Sequence, residues 1–320
     1  MSLSILGTGS ALPNLVKTNA DLTTFLDTSD EWIRTRTGIG QRHILQDESL
    51  TDITALAAQH ALENSKTKIE EIDYIICPSF TGDYLTPSLS CLLQQRLGAT
   101  CPAVDVNAAC TGFMYGMDLA GGLLAAGRAK RILMVAAEAL SRITNWEDRS
   151  TAVLFGDGAG AVVLAPGDDL LYLHLTSQGD DRFLYAPFVS GNFPEGPKES
   201  RAPYISMNGG EVYKFAVNAI FTGLQKALDE TGLKTEDVKH VLLHQANLRI
   251  IEAAQKKLGI PSERYAINIQ NVGNLSAASI PVLMDEYNRK GAFADGDLMV
   301  LSAFGGGFTT GTAILRWNKK

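Results

Sequence analysis

Two stretches of this 320-residue chain repeat one another in the same order, about half its length apart. Ala61-Leu-Glu63 followed by Ile69-Glu-Glu-Ile-Asp-Tyr-Ile-Ile76 matches Ala227-Leu-Asp229 followed by Thr235-Glu-Asp-Val-Lys-His-Val-Leu242 at an offset of 166. Ala103-Val-Asp-Val106 matches Ala266-Ile-Asn-Ile269 at 163, and Leu133-Met-Val135 matches Leu298-Met-Val300 at 165. The first pair reads as a helix end, an acidic turn and a buried strand. The second reads as a strand leading through a small-residue turn to an apolar helix, and the third as a strand before a glycine-rich segment and another strand. Three ordered matches imply a duplicated α/β unit. The halves are 1–168 and 169–320, divided at the turn-rich Ala165-Pro-Gly-Asp-Asp169. Equivalent strand ends of the two halves should then converge on one site.

Composition bounds what such a site can serve. The chain is 45% hydrophobic and 20% charged, as globular proteins are. Its four cysteines have neither disulfide-framework nor zinc spacing, so no metal is expected. The first residues lack a basic n-region, and no run of about 18 apolar residues free of turn formers is present. A soluble cytoplasmic protein without membrane contact is expected. A net charge of −7 argues against bulk nucleic-acid binding, so an anionic ligand must meet a local basic patch. Residues 178–204, rich in Gly, Pro and Ser, read as a long loop of the kind that forms lids. Residues 19–33 read as one helix closing the entrance to the first half.

Cys110 stands between the strand-like Ala103-Val-Asp-Val106 and a long apolar stretch whose one charge is Asp118. That pattern predicts a buried helix with a cysteine at its N-terminus, where the dipole favours the nucleophilic thiolate. Cys77, Cys91 and Cys101 read as small buried hydrophobes. In the second half, His244 ends the strand Val241-Leu-Leu243, and Asn274 follows the counterpart of the strand that delivers Cys110. Thiol, imidazole and amide at strand–helix junctions form a possible active site, although His244 by itself fits a core histidine equally well. A papain-like protease shares this residue set but carries its cysteine near the mature N-terminus in another motif. A dinucleotide-binding dehydrogenase fits poorly. Gly156-Asp-Gly-Ala-Gly160 and Gly305-Gly-Gly307 run into strand-like sequence instead of opening a helix with Gly-x-Gly-x-x-Gly spacing.

Eight motifs spread nearly end to end resemble β-ketoacyl-(acyl carrier protein) synthase III, a thiolase-fold enzyme of bacterial fatty acid synthesis. They are Gly7-Thr-Gly-Ser-Ala-Leu-Pro13, Asp27-Thr-Ser-Asp-Glu-Trp-Ile33, Arg36-Thr-Gly-Ile39, Ala108-Ala-Cys-Thr-Gly-Phe113, Leu154-Phe-Gly-Asp-Gly-Ala-Gly160, Leu243-His-Gln-Ala-Asn247, Gly273-Asn-Leu-Ser-Ala-Ala-Ser-Ile-Pro281 and Phe304-Gly-Gly-Gly-Phe308. The resemblance implies an α/β thiolase-like fold in a duplicated, five-layered αβαβα arrangement, and a homodimer. It implies that Cys110 is acylated from acetyl-CoA or a longer acyl-CoA and condensed with malonyl-acyl carrier protein. His244 and Asn274 would then stabilise the enolate, and the N–H groups of Cys110 and Gly306 would form the oxyanion hole. No permanently bound cofactor is implied; acyl-CoA is a substrate. An acyltransferase or starter-loading enzyme of secondary metabolism acting through acyl-Cys110 is the alternative. A non-catalytic partner subunit is opposed by the intact Cys110, His244 and Asn274.

Further positions carry over from the same resemblance. Trp32 and Arg149 match the pair that sandwiches adenine, Arg36 and Thr37 lie near the nucleotide phosphates, and Gly209 and Asn247 line the pantetheine tunnel. From the residues alone, Trp32 reads as a packing anchor and the arginines as a solvated face. Lys214, Arg249 and Lys256 match the rim on which acyl carrier protein docks; Arg249 and Lys256, seven apart, share a helix face. A generic charged helix surface is the alternative. Leu275, Thr310 and Tyr213 depart from the usual threonine, tryptophan and phenylalanine. Thr86 takes a position often filled by phenylalanine at the end of the acyl pocket, contributed across the dimer interface.

Overall fold

The strand order repeats the duplication read in the sequence. The computed structural model describes residues 3–187 and 204–318. Its first sheet comprises β1 (Ser4–Ala11), β2 (Tyr74–Pro78), β3 (Ala103–Val106), β4 (Ile132–Ala139) and β5 (Asp157–Ala165), in the order β1-β5-β4-β2-β3. The second comprises β6 (Leu170–Asp180), β7 (Val238–Leu243), β8 (Leu298–Gly305) and β9 (Gly307–Arg316), in the order β6-β9-β8-β7. In each sheet the first two pairings are antiparallel, and the third, β4 with β2 or β8 with β7, is parallel. β4 is buried along its whole length, the pattern of a strand covered on both faces.

Helices fill the spaces around these sheets. They are α1 (Asp30–Thr37), α2 (Leu50–Ser65), α3 (Leu89–Leu97), α4 (Gly112–Ala125), α5 (Gly209–Thr231), α6 (Leu248–Leu258) and α7 (Ser279–Arg289), with shorter turns between. Local chemistry sets their ends. Ser49 and Asp52 form a reciprocal capping box on α2, Asn208 and Asn247 cap α5 and α6, and Gly232 and Gly259 close those two in the left-handed conformation. α4 and α7 share one apolar core with the inner faces of both sheets, through Phe113, Met117, Leu283, Met134 and Leu301. α2 and α3 cover the outer face of the first sheet, and α5 and α6 that of the second. The result is five layers, αβαβα.

Five expectations change. Residues 266–269 do not form a strand; beside β7 there is only a single parallel bridge between Val241 and Tyr265, and the chain then enters a turn of helix at Ile269–Val272. Residues 19–33 are two elements, the single turn Asn19–Leu22 and the start of α1, because Ser29 caps a new helix. In 178–204, Gln178 to Asp180 belong to β6, and Leu184–Tyr185 pairs with Ser206–Met207; residues 188–203 lie outside the described residues. Finally, α4 is not covered all round, since Leu119 is 47% exposed, and Cys91 is exposed.

Candidate active site

Cys110 lies in the single turn Ala109–Thr111 that joins β3 to α4. The turn is held from both halves: the Thr111 hydroxyl lies 2.6 Å from the Ala108 carbonyl and 2.7 Å from the Thr309 hydroxyl on β9. Ala109 adopts φ +47°, a conformation costly for a residue with a side chain. Gly305 at the end of β8 approaches so closely that a Cβ there would sit 2.9 Å from the Cys110 nitrogen and 3.2 Å from its Cβ. Only glycine fits. Burial works against the thiolate expected at a helix terminus. Burial pushes the Cys110 thiol up to about 11, opposed by a hydrogen bond from Ser276 and reinforced by Glu138. On that balance Cys110 rests as a neutral thiol.

His244 follows β7, and its N–H donates to the Ser302 carbonyl on β8 at 2.9 Å. The ring is 2% exposed and packs edge-on against Phe304, with centroids 5.2 Å apart. Burial without a charge partner pushes its pKa down to about 3, so the imidazole is neutral. Its Nδ1 has no hydrogen-bond partner among the described residues. Asn274 is pinned through its backbone, whose N–H donates to Leu154 O at 2.9 Å and whose carbonyl accepts from Gly156 N–H at 3.0 Å. Its Oδ1 accepts the Ser276 N–H at 2.8 Å, which leaves the amide NH2 free to meet a ligand. Gly156 permits this approach: a Cβ there would lie 2.5 Å from the Val272 carbonyl oxygen.

Cys110, His244 and Asn274 line one cavity of about 400 Å³, together with Gly209, Asn247 and Arg249. A second chamber of about 500 Å³ shares Cys110 and Leu184 with the first and is lined also by Phe80, Ala108, Asp180, Asp181 and Gly306. Cys110 thus borders two compartments, one largely apolar with Arg249 in its lining, the other bounded by the β8–β9 turn.

The remaining expected residues divide. The Arg36 and Arg149 guanidiniums lie 4.6 and 5.2 Å from the centroid of the Trp32 ring, giving a cation–π stack. Arg149 is also held by the Asp27 carbonyl at 2.7 Å. Thr37 is buried, with its hydroxyl donating to Ile33 O at 2.7 Å and accepting from Ile39 N–H at 3.0 Å, so it secures the end of α1 instead of facing a nucleotide. Asn247 caps α6, and Arg249 and Lys256 are exposed on that helix; Lys214 pairs with Glu211 at 2.8 Å. Thr86 is exposed and lines neither chamber of the single chain. Sequence reasoning gave no role of their own to Ser276 and Glu138. Glu138 carried a legible signal, a lone carboxylate in an otherwise apolar strand.

The fold is that of the thiolase-like condensing enzymes. Two family models match, 3-oxoacyl-[acyl-carrier-protein] synthase III over residues 104–179 and the C-terminal domain of the same enzyme over 228–317. Beta-ketoacyl-[acyl-carrier-protein] synthase III of Clostridium acetobutylicum is 44% identical, with 99% of each chain covered, and that of Xanthomonas campestris pv. campestris is 46% identical, with 98% of each covered. Among solved structures, 3-oxoacyl-[acyl-carrier-protein] synthase III from Aquifex aeolicus is 42% identical with a TM-score of 0.92, over 98% of this chain and 100% of that one. The priming β-ketosynthase of the R1128 polyketide pathway is 31% identical with a TM-score of 0.93, over 99% and 97%. The chain belongs to the β-ketoacyl-(acyl carrier protein) synthase III family.

Proposed function

We propose that this chain performs the decarboxylative condensation of an acyl-CoA starter with malonyl-acyl carrier protein that initiates fatty acid synthesis. The Cys110 sulfur attacks the thioester carbonyl; the bond to CoA breaks, and the thiol proton leaves with CoA as its thiol. Malonyl-acyl carrier protein then loses carbon dioxide. The resulting enolate carbon bonds to the acyl carbonyl as the bond to Cys110 breaks, giving β-ketoacyl-acyl carrier protein. His244 and Asn274 donate hydrogen bonds to the enolate oxygen, and the N–H groups of Cys110 and Gly306 hold the tetrahedral oxyanion. The observation that carries this reading is a neutral, unpaired imidazole and an oriented amide sharing one cavity with a thiol. A neutral imidazole donates to the enolate without surrendering a full proton, so it acts as an electrophile and no base is required of it.

The same reading assigns the outer contacts. Trp32 and Arg149 bracket the adenine of CoA, Arg36 meets its phosphates, and Gly209 and Asn247 flank the pantetheine arm. A ring centroid 5.2 Å from the Arg149 guanidinium leaves no room for a base between them, so Arg149 swings out on binding. Lys214, Arg249 and Lys256 receive the acidic carrier protein by steering. The enzyme works as a cytoplasmic homodimer of chains built from halves 1–168 and 169–320, with Thr86 reaching a neighbour's acyl pocket, and it needs no permanently bound cofactor or metal. No helix among the described residues is long and apolar enough to cross a membrane. Intact mass after acetyl-CoA should show one acetyl adduct, absent in Cys110→Ala. Malonyl-acyl carrier protein should then yield carbon dioxide and a β-ketoacyl product; an acyl-enzyme that never condenses would refute the reading.

A further inference from the structure

The two N–H groups assigned to the tetrahedral oxyanion come from opposite halves of the chain, Cys110 from the turn after β3 and Gly306 from the turn between β8 and β9. Neither turn holds that spacing by itself. Gly306 stands between Gly305 and Gly307, and three glycines in a row have no side chain to fix their backbone. A Cβ on Gly305 would sit 2.9 Å from the Cys110 nitrogen, so no larger residue fits there to stiffen the run. On the other side Ala109 is held at φ +47°, a conformation that persists only where the surroundings fix it.

Two threonine hydroxyls join these turns. Thr111, fully buried, and Thr309, 9% exposed, bring their Oγ1 atoms to 2.7 Å across 198 positions of sequence. Thr309 Oγ1 also lies 3.1 Å from the Gly306 carbonyl oxygen, and Thr111 Oγ1 lies 2.6 Å from that of Ala108. At 2.7 Å one hydrogen lies between the two hydroxyl oxygens. Either Thr111 donates to Thr309 and Thr309 to Gly306, or Thr309 donates to Thr111 and Thr111 to Ala108. The first arrangement serves every acceptor, because the Ala108 carbonyl already takes the Thr111 N–H at 3.1 Å. In both, one hydrogen bond between hydroxyls ties the Cys110 turn to the Gly306 turn.

We propose that Thr111 and Thr309 are positioning residues for the oxyanion hole: their shared hydrogen bond clasps the two halves so that the Cys110 and Gly306 N–H groups converge on one oxygen. This rests on the oxyanion role given above to those two groups. Acylation passes through a tetrahedral intermediate, so loosening the clasp raises its barrier. Valine keeps the methyl group and nearly the volume that Thr309 presents to the second chamber, so substrate binding is left alone. A displacement at the sulfur that forms no oxyanion is also left alone.

The test uses Thr111→Val, Thr309→Val, the double valine variant, Thr111→Ser and Thr309→Ser. Acetyl-Cys110 formation from acetyl-CoA is followed by intact mass after rapid quenching, which gives a maximal rate and a half-saturating concentration, and alkylation of Cys110 by iodoacetamide is read by peptide mass. Each valine variant should acylate about tenfold to a hundredfold more slowly, less than the roughly 10²–10³ of losing an oxyanion donor outright. The half-saturating concentration and the alkylation rate should not move, and each serine variant should return acylation to near the wild-type rate. The double variant should be no slower than the slower single, because both remove one bond. If one valine variant fails to fold, the other decides, since the bond needs both hydroxyls. Wild-type acylation in either valine variant, serine variants as slow as valine, or alkylation slowed in parallel with acylation would each overturn the proposal, the last by showing that the threonines only hold the fold. A wild-type protein that forms no acyl-Cys110 would instead sink the proposed function, whereas equal acylation by wild type and valine variants sinks this proposal alone.

Discussion

The neutral state of His244 makes a stability prediction of definite sign. Its pKa is about 3 in the folded chain against 6.5 for an unperturbed histidine. Between those values the unfolded chain binds a proton that the native chain refuses, so this contribution to stability is complete above pH 6.5 and is lost as pH falls toward 3. Integrating from pH 6 to pH 4 gives a loss of about 2.5 kcal/mol from this group. Glu138 acts oppositely: its pKa is raised from 4.5 to about 8, so its share is present below pH 4.5 and lost as pH rises toward 8. The two slopes cancel over much of pH 4.5–6.5, which hides both in the wild type. Removing one exposes the other. Urea unfolding at pH 6, 5 and 4 should therefore show His244→Gln losing about 2.5 kcal/mol less than the wild type over that interval, whatever constant offset the substitution adds. Parallel curves would refute the argument, because they would mean that His244 is charged or solvated in the native protein.

Four further outcomes follow from the site. His244→Ala and Asn274→Ala should still form acyl-Cys110, yet lose about 10²–10³ in carbon dioxide release from malonyl-acyl carrier protein, and normal release would remove that residue from the enolate site. Because the Cys110 thiol is raised to about 11, its alkylation rate should keep climbing past pH 9 without a plateau near neutrality, as read by peptide mass after timed iodoacetamide pulses. Arg249→Glu should raise KM for malonyl-acyl carrier protein, less so at high salt, and leave acylation by acetyl-CoA unchanged; equal loss in both half-reactions would remove Arg249 from carrier docking. Thr86→Phe should narrow starters toward acetyl, since each extra buried methylene of a longer acyl chain is worth about 0.8 kcal/mol, and competition between acetyl-CoA and a medium-chain acyl-CoA scores it.

The duplication, the strand ends that precede Cys110 and His244, and the capped helices around them are all written in local patterns. Periodicity and capping act over a few residues, so a linear reading suffices for β4, α2 and α6. The order of strands in the two sheets follows once the repeat is recognised, and only the strand expected at 266–269 failed, because one bridge beside β7 does not extend into a ladder. The electrostatic state of the site was not legible. A thiol at a helix start reads as a thiolate until the protein around it is seen to exclude water, and Thr37 reads as a neighbour of nucleotide phosphates until Ile33 and Ile39 are seen to occupy its hydroxyl. Glu138 and Ser276 stand 138 residues apart in the chain, yet their oxygens meet at 3.2 Å. Desolvation and hydrogen-bond direction depend on neighbours brought from both halves, and those neighbours exist only once the two sheets have closed on the helices between them.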